Sequence, residues 1–541
     1  MGFVARRVLG RWDNRYLQSA AAFKAMQRNT PEFLREPFGN HSKGNVLLAS
    51  IGTPYVPVEA AYLKALEAKG FCPFVVCSYD PWIKDAFLLF GIENVRFFDD
   101  YLWHESYRDI NTLAEEWLGT IGADWRTWEV DGVPCGLLAG ASHMRRTREA
   151  WVNYTTKPGL RAFRQELVRS VGATRVAQRL RAEISPQLVM VCDRGYTPTG
   201  QLFYDSLANG CPVITHLNAH KSGYAILKRY RSSATAKTHP HSLSGETWRR
   251  VQANALNDED SRLMYDELRG CYISGEWFSE VGTQFNKHFY SREDLYALLK
   301  LCRERKTAVI FPHMFWDATF CYGTDLFKNY REWFVEVVKK AAENKHLNWI
   351  VKIHPANVVK ANRDNYHGGV GELDAIAEVL GKVPDHIFVV PAESNISTFS
   401  LFNVMDYCLT VRGTVGIESA SLGIRTLTAG TGRFDRLGFT RDFNTKEDYL
   451  YAVERLHDIG QMTSGEVALA RCYAHALLLR RPVPIDCLAM AYERDAKATL
   501  KVRVTAKSRE EFLQCEFAST IASFCLSDDE DCLRQRLPAP L

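Results

Sequence analysis

The sequence predicts an α/β fold built from two Rossmann-like units in tandem, each with a parallel sheet, followed by C-terminal helices. Short apolar runs alternate with amphipathic stretches, a pattern typical of a parallel sheet covered by helices on both faces. The pattern stops between about residues 220 and 300 and then resumes. The chain has 541 residues, more than a single hydrophobic core usually supports. We therefore expect one unit on each side of the interruption.

The first unit occupies residues 41–300, after an N-terminal segment, 1–40, that we expect to be helical. Helices are predicted after the first strand, where Gly70 ends the helix, and at INTLAEEWLGTIG (110–122). Polar runs between 220 and 300 predict connector helices and loops. The predicted strands are GNVLLASIG (44–52), CPFVVCS (72–78), NVRFFDD (94–100), QLVMVCD (187–193) and CPVIT (211–215).

The second unit occupies residues 301–460 and begins with the strand in KTAVIFPHMFWDATF (306–320), which runs into a long loop. The helix that follows, 329–345, places Trp333, Phe334, Val337, Val338 and Ala341 on one face, so these side chains should pack in a core. Residues 461–541 are predicted to form helices. The later strands are LNWIVKIHP (347–355), HIFVVP (386–391), DYCLTV (406–411) and IRTLTAG (424–430).

The composition excludes several classes of protein. A net charge of +4 and a pI near 8.3 are too low for a dedicated nucleic-acid binder. Fourteen cysteines without a CxxC pair predict reduced thiols in a cytoplasmic protein, with neither disulfides nor structural zinc. The sequence contains no run of about eighteen apolar residues, so we expect no membrane-spanning helix. The N-terminus, with Arg6, Arg7 and Arg11, leaves two alternatives: peripheral contact with the inner membrane face, or a solvated helix packed on its own domain.

A glycine turn after the strand DYCLTV is the first candidate binding element. Arg412, Gly413 and Thr414 open a short helix there, and Glu418 lies one turn further on. Free N–H groups and the positive end of a helix dipole suit a phosphate, and the Arg and Thr side chains add donors. Glu418 could accept ribose hydroxyls; its alternative is a solvated helix position. The turn is neither a GxGxxG nor a Walker loop.

Other candidate residues follow strands, where ligands of open parallel sheets bind. Lys352 and His354 end the strand WIVKI, and together with the glycine turn they place several anion-seeking groups on one rim. The alternative for His354 is a structural hydrogen bond. Asp193, just before a glycine turn, and Asp317, in the long loop, are candidates for a catalytic base or nucleophile, although Asp193 could merely cap its turn. His143, His216 and His313 are assigned no role.

Two acidic clusters, NDED (257–260) and SDDEDC (527–532), could suggest a metal site. Both lie in polar stretches, so we interpret them as solvated charge and expect no bound metal. We therefore expect a ligand at this rim to be held by hydrogen-bond donors and not by a metal cofactor.

A family resemblance rests on VKIHPAN (351–357), the stretch 400–430 and RFDRLGFT (433–440). Together with YTPTGQLFYDSLANGCPVI (196–214) and FPHMFWDATFCYG (311–323), they resemble bacterial capsule and surface polysaccharide biosynthesis proteins, the group that includes Kdo transferases. The resemblance implies a GT-B glycosyltransferase with two facing domains, an acceptor domain at 41–300 and a nucleotide-sugar donor domain at 301–460. In such proteins a late helix often crosses back to the first domain, so we expect the same of the helices at 461–541. It also implies that His354 contacts the donor phosphate and that Thr414 helps to hold it.

The implied reaction moves a sugar from CMP-Kdo or another sugar nucleotide to a growing surface or capsular polysaccharide, with a glycan or lipid-linked glycan as acceptor and no cofactor. Three alternatives remain open. UDP-N-acetylglucosamine 2-epimerases share the HP and the glycine turn but usually carry a doubled Glu that is absent after Glu418. A teichoic-acid-type polyol-phosphate transferase and a non-catalytic carbohydrate-binding scaffold are the others.

Overall fold

The computed structural model describes residues 14–102, 105–120, 124–254, 256–317, 320–364, 366–494 and 499–534. A seven-stranded sheet forms the first unit, in the order β12-β6-β5-β4-β1-β2-β3. Its first five strands in sequence run parallel, whereas β6 and β12 are antiparallel additions at one edge. The strands are β1 Asn45–Ala49, β2 Cys72–Cys77, β3 Val95–Phe97, β4 Pro186–Val191, β5 Val213–Asn218, β6 Tyr224–Tyr230 and β12 Val483–Pro484.

The second sheet has five parallel strands in the order β11-β10-β7-β8-β9. In both sheets the strand order reverses beside the first strand of the unit, between β1 and β4 and between β7 and β10. This is the Rossmann-like order, and it places the ligand crevice at the carboxyl ends of these four strands. The strands are β7 Thr307–Ile310, β8 Asn348–Lys352, β9 Ile387–Val390, β10 Tyr407–Thr410 and β11 Arg425–Thr428. The predicted α/β fold with two Rossmann-like units is confirmed.

Helices cover the sheets and connect their strands. Those of the first unit and the connector are α1 Asn14–Asn29, α2 Val56–Glu67, α3 Ile83–Leu88, α4 Phe98–Leu102, α5 Tyr107–Gly119, α6 Cys135–Thr147, α7 Lys157–Ile184, α8 Thr199–Ala208, α9 Gly245–Ala253, α10 Asp258–Ser274 and α11 Arg292–Leu298. Those that follow are α12 Tyr330–Glu343, α13 Ala356–Asp364, α14 Gly371–Leu380, α15 Thr398–Leu401, α16 Val415–Ser421, α17 Lys446–Glu454, α18 Ser464–His475, α19 Arg509–Gln514 and α20 Glu516–Leu526.

Alternate residues of each strand enter separate cores on the two faces of its sheet. In β1, Val46 and Leu48 pack with α2, whereas Leu47 and Ala49 pack with α6 and α7. The second sheet repeats this arrangement, and the face of α12 predicted from the sequence is buried against it. Burial on both faces explains why these strands are apolar throughout.

The C-terminal stretch returns to the first unit. Helix α20 packs on α2 through Phe517 and Ile521, and β12 pairs with β6. The prediction of helices alone after residue 461 is wrong, because β13 Leu488–Tyr492 and β14 Leu500–Val504 form a hairpin. Their side chains alternate between buried and exposed positions, as in a strand with one covered face.

Two interpretations of polar segments need correction. Strand β6 lies in the region interpreted as connector helices and loops, and its Lys228 is buried. The cluster 527–532 is not uniformly solvated, because Asp531 is buried and accepts from Lys228 Nζ at 2.8 Å. In the other acidic cluster, Asn257 and Asp260 form the capping box that begins α10.

Among the described residues, no helix is long and apolar enough to cross a membrane. Arg6, Arg7 and Arg11 lie outside the described residues, so the membrane-contact hypothesis for the N-terminal segment stays a prediction.

Candidate functional site

The two units meet along a cleft formed by the carboxyl ends of β1, β4 and β5 on one side and β7, β8 and β10 on the other. Tyr196, after β4, donates from its hydroxyl to Asp317 Oδ1 in the loop after β7 at 2.9 Å. Arg148, after α6, reaches across to α13 and donates to Lys360 O at 3.1 Å and Asp364 Oδ2 at 2.8 Å. These contacts bring both topological switch points to one place, called the cleft below.

The candidate carboxylates Asp193 and Asp317 both lie in the cleft and share a neighbour. Arg145 Nη1 lies 3.2 Å from Asp193 Oδ2, and the Arg145 guanidinium stacks over the Tyr196 ring. Asp193 Oδ1 also accepts from Gly195 N at 3.1 Å, which is the turn-capping contact considered from the sequence. Asp317 accepts from Lys360 Nζ at 2.6 Å. The cations Lys360 and Arg145 outweigh the effect of burial and hold the pKa of Asp317 well below its usual range, so it remains an anion.

His354 follows β8 and presents one ring nitrogen to the cleft. Its Nδ1 accepts from Ala356 N at 3.1 Å, so the neutral ring carries its proton on Nε2. Burial, with Lys360 nearby, lowers the pKa of His354 to about 4. The imidazole is therefore neutral near pH 7 and acts as a hydrogen-bond donor without a positive charge.

The glycine turn after β10 is held by another imidazole. His313 Nε2 accepts from Arg412 N at 3.3 Å and lies 3.5 Å from Thr410 Oγ1, while its ring stacks on Tyr330. Gly413 N also donates to Thr410 Oγ1, at 3.1 Å. Among the residues described, the backbone N–H groups of Thr414 and Val415 make no hydrogen bond. The turn thus presents two adjacent donors at the end of β10.

The Arg412 side chain is buried and forms an ion pair with Asp325. Burial raises the pKa of Asp325 to about 6, although the arginine opposes this shift. Two nitrogens of Arg412, Nε and Nη1, remain buried without a hydrogen-bond partner. Arg412 therefore fixes the loop containing Asp325 and retains donors that a ligand could use.

Arg433, which the sequence analysis did not select, contributes a further cation. It follows β11 in the loop TGRFDRLGFT and donates to Arg412 O at 3.4 Å, and its Nη2 lies 3.3 Å from His241 Nδ1. No carboxylate among the described residues lies within 4.0 Å of it. Burial lowers the pKa of Arg433 to about 10, so the guanidinium stays charged at neutral pH without a contacting anion.

Glu418 is buried on α16 and is not a solvated helix residue. Its Oε2 accepts from Tyr272 Oη of α10 at 2.6 Å, and burial raises its pKa to about 7. It lines a small cavity, of about 20 Å³, whose walls are mostly apolar. The other lining residues that matter here are Thr414, Trp277, Phe278 and His241.

Lys352 lies beneath the rim and not on it. Its ammonium is buried, and its nearest hydrogen-bond acceptor is Pro391 O at 3.5 Å. Burial, with Lys287 nearby, lowers its pKa to about 7. Lys352 and His354 occupy the same face of β8 by strand alternation, but the lysine side chain extends toward β9.

One group of side chains has donor atoms close enough to hold a metal ion. Donor atoms of His220, Glu267 and Cys271 all lie within 4.8 Å of one another. However, Lys221 Nζ lies 2.6 Å from Glu267 Oε1 and already neutralises this carboxylate. His220 Nε2 lies 2.6 Å from the same oxygen. The group is thus held together as a hydrogen-bonded cluster.

Sequence reasoning missed Tyr196, Arg145, Lys360, His313 and Arg433. A signal existed for Tyr196, His313 and Arg433, because each follows a predicted strand. Arg145 and Lys360 lie on helices α6 and α13, where a single basic residue is indistinguishable from a solvated one.

No protein-family model matches the chain, and no curated protein matches it. Three solved structures show weak similarity. The β-Kdo 2,4-transferase of Thermosulfurimonas dismutans KpsC has a TM-score of 0.32 at 13% identity, covering 55% of this chain and 81% of that one. A Neisseria meningitidis UDP-GlcNAc 2-epimerase bound to UDP-GlcNAc has a TM-score of 0.27 at 10% identity, covering 80% of this chain and 96% of that one. Sucrose-phosphate synthase of Thermosynechococcus elongatus has a TM-score of 0.28 at 10% identity, covering 81% of this chain and 94% of that one. None of these values is high enough to transfer a function.

Proposed function

We propose that the protein is a GT-B-type glycosyltransferase that binds a nucleotide-sugar donor on its second Rossmann-like unit and an acceptor on its first. The donor phosphate binds at the carboxyl ends of β8 and β10, against the N–H groups at Thr414, the side chain of Arg433 and the Nε2–H group of His354. The reaction needs neither a metal nor another cofactor.

The charge of Arg433 is the observation that carries this proposal. A half-buried guanidinium without a contacting carboxylate is costly unless an anion completes its coordination. The unpartnered nitrogens of Arg412 and the free N–H groups of the turn lie beside it. Because all of these donors converge at a topological switch point, a phosphate is the anion that suits them best.

The same groups suit the chemistry of glycosyl transfer. As the bond between the anomeric carbon and the phosphate oxygen breaks, negative charge develops on the departing phosphate. Preorganised N–H donors and Arg433 stabilise this charge more strongly than the charge of the intact donor. His354 contributes as a neutral donor, since its pKa is lowered to about 4.

The finer assignment follows the resemblance of the HP strand end and the glycine turn to capsule and surface polysaccharide enzymes. We propose a glycan or lipid-linked glycan as acceptor and CMP-Kdo or another sugar nucleotide as donor. Catalysis takes place in the cytoplasm, at or near the inner membrane face.

A thermal-shift titration with CMP, CDP, UDP and GDP tests donor binding. A nucleotide at about a hundred times its dissociation constant stabilises the folded protein by about 2.7 kcal/mol. Arg433→Gln and His354→Gln should each weaken the binding of that nucleotide by roughly 10-fold or more, the worth of a hydrogen bond to a charged group.

Two matched variants serve as controls. Arg455→Gln removes an exposed guanidinium that contacts Asp458, and His346→Gln removes an exposed imidazole before β8, at the opposite edge of the sheet. Both should bind the nucleotide like the wild type. If none of the four nucleotides stabilises the protein, or if Arg433→Gln and its control respond alike, the donor site is wrongly placed.

The epimerase alternative uses the same phosphate contacts and differs in its product. Incubation of UDP-N-acetylglucosamine with the protein and no acceptor should give no change of configuration at the sugar C2. Accumulation of the C2 epimer at equilibrium would replace the transferase assignment with the epimerase one.

A further inference from the structure

Glu280 lies in the cleft, on the segment that joins the cavity beside Glu418 to the first sheet. Two residues earlier, Phe278 lines that cavity together with Thr414 and Glu418. Val281 N donates to Phe278 O at 2.9 Å, so the chain turns between them. The turn directs the Glu280 carboxylate to Asn218 Nδ2, at the carboxyl end of β5. Glu280 therefore stands between the two binding regions.

The surroundings of Glu280 form a polar pocket on the acceptor side. Asn218 Nδ2 also donates to Tyr492 Oη, at 2.9 Å, and Tyr492 comes from the C-terminal hairpin. The negative charge of Glu280 helps to raise the pKa of both Tyr55 and Tyr492. Tyr55 follows β1, so the pocket lies at the same sheet edge as Asp193.

Glu280 differs from the other cleft carboxylates in its partners. Asp193 contacts Arg145, and Asp317 contacts Lys360. Within the described part of the chain, Glu280 has no cation within 4.0 Å, and Asn218 is its single hydrogen-bond donor. Its Oε1 is free, and the side chain is open to solvent in the cleft.

We propose that Glu280 is the general base that removes the proton from the attacking acceptor hydroxyl. The inference rests on the proposed transferase function. The acceptor oxygen forms its bond to the anomeric carbon while the bond from that carbon to the phosphate oxygen breaks. The bonding electron pair leaves with the phosphate, and the hydroxyl proton moves to Glu280 Oε1. Asn218 holds the other oxygen and fixes the direction of the carboxylate.

The test measures nucleotide release from UDP-N-acetylglucosamine, UDP-glucose, GDP-mannose and CMP-Kdo, with water as acceptor. Glu280→Gln should lower turnover by about 10²–10⁴-fold and leave the affinity for the nucleotide product unchanged. Glu276→Gln, on the same segment, is the matched control, because the side chain of Glu276 accepts from Ser222 N and from no other described residue. It should retain wild-type turnover.

Two further readouts separate a base from a structural residue. Azide ion needs no deprotonation, so it should restore turnover of Glu280→Ala by forming the glycosyl azide. Wild-type turnover should fall at acidic pH as Glu280 becomes protonated. The pH profile of Glu280→Gln should lack this acidic fall. The groups that face Glu280 and must be considered in the profile are Tyr55, Tyr492, Lys360 and Cys192.

The outcomes tell a wrong assignment of Glu280 as the base apart from a wrong assignment of the transferase function. If the wild type turns over a donor and Glu280→Gln stays within about threefold of it, Glu280 is not the base and the transferase assignment stands. Glu280 is also not the base if azide fails to rescue Glu280→Ala and the turnover of Glu280→Gln still falls at acidic pH. If the wild type releases no nucleotide from any of the four donors, the transferase assignment is refuted and the inference falls with it.

Discussion

Replacing Asp531 with asparagine should destabilise the protein by about 3–5 kcal/mol, because two buried cations lose the carboxylate that they share. Asp531 Oδ1 lies 2.8 Å from Lys228 Nζ and 3.6 Å from Arg481 Nη2. All three side chains are at most 1% exposed. The cluster joins β6 to the C-terminal stretch that returns to the first unit.

The magnitude follows from these distances. Coulomb's law with an effective dielectric constant of about 20 gives roughly 6 kcal/mol for the pair at 2.8 Å. Asparagine keeps one oxygen, which can still accept from Ser244 N, where Asp531 Oδ2 now lies 2.6 Å away. This retained bond reduces the loss, and the remaining penalty is that of two uncompensated charges in the interior.

Urea unfolding at pH 7 measures the difference, and Asp528→Asn is the matched control. Asp528 lies in the same segment and contacts Arg231, but its side chain is fully exposed, at 100%. That change should cost less than about 1 kcal/mol. An Asp531→Asn loss no larger than that of the control would refute the electrostatic reasoning.

The pH dependence gives a second check with a definite sign. Lys228 and Arg481 hold the pKa of folded Asp531 well below its usual range. The unfolded chain therefore binds a proton before the folded one as the pH falls. The stabilisation is complete above about pH 4 and declines below it by about 1.4 kcal/mol per pH unit. The difference between wild type and Asp531→Asn should shrink accordingly.

Three other changes have expected results. Tyr272→Phe leaves the buried carboxylate of Glu418 without its hydrogen bond and should cost about 1–3 kcal/mol in urea unfolding. Lys352→Met should abolish a rise in stability between pH 7 and pH 10 that the wild type shows, because the unfolded chain binds a proton that folded Lys352, with a pKa of about 7, has released. Gly323→Ala should lower the melting temperature, since φ is +79° and a Cβ would lie 1.9 Å from Thr431 O.

Matched variants check these three predictions. Tyr265→Phe, on the same helix as Tyr272 but 40% exposed, should be near neutral. Gly270→Ala, in α10 with no atom within 4 Å of the new Cβ, should stabilise by about 0.5–1 kcal/mol. Lys339→Met, on the surface of α12, should keep the pH dependence of the wild type. Equal responses within any pair would contradict the corresponding prediction.

The sequence predicted the two sheets because their strands are buried on both faces and so are continuously apolar. It missed β6, whose sequence YAILKRY contains two adjacent cations, Lys228 and Arg229. In the structure Lys228 contacts Asp531, and Arg229 donates to Asp529 O at 3.0 Å. These partners lie about 300 residues away in the chain, so no local pattern could show that the strand is buried. The hairpin β13–β14 does alternate in its burial, and that signal was available.

The candidate site was predictable where a residue follows a strand and not elsewhere. The residues Asp193, Asp317, His354 and Thr414 could be selected by position alone. Glu280 could not, because its segment follows a connector helix, and its contact with Asn218 depends on how the two units meet. The same limit applies to every side chain whose role depends on a partner in the other unit.

The charges of the donor side determine how the proposed phosphate is held. Asp325 pairs with Arg412 and Asp317 with Lys360, so Arg433 is left as the uncompensated charge among these groups. A diphosphate carries more negative charge than one guanidinium can match, and the remainder must be met by uncharged N–H groups. His354, with its pKa lowered to about 4, is such a group. Its contribution to affinity should therefore be the same at pH 6.5 and pH 8, which distinguishes a neutral donor from a protonated imidazole whose contribution disappears as it titrates.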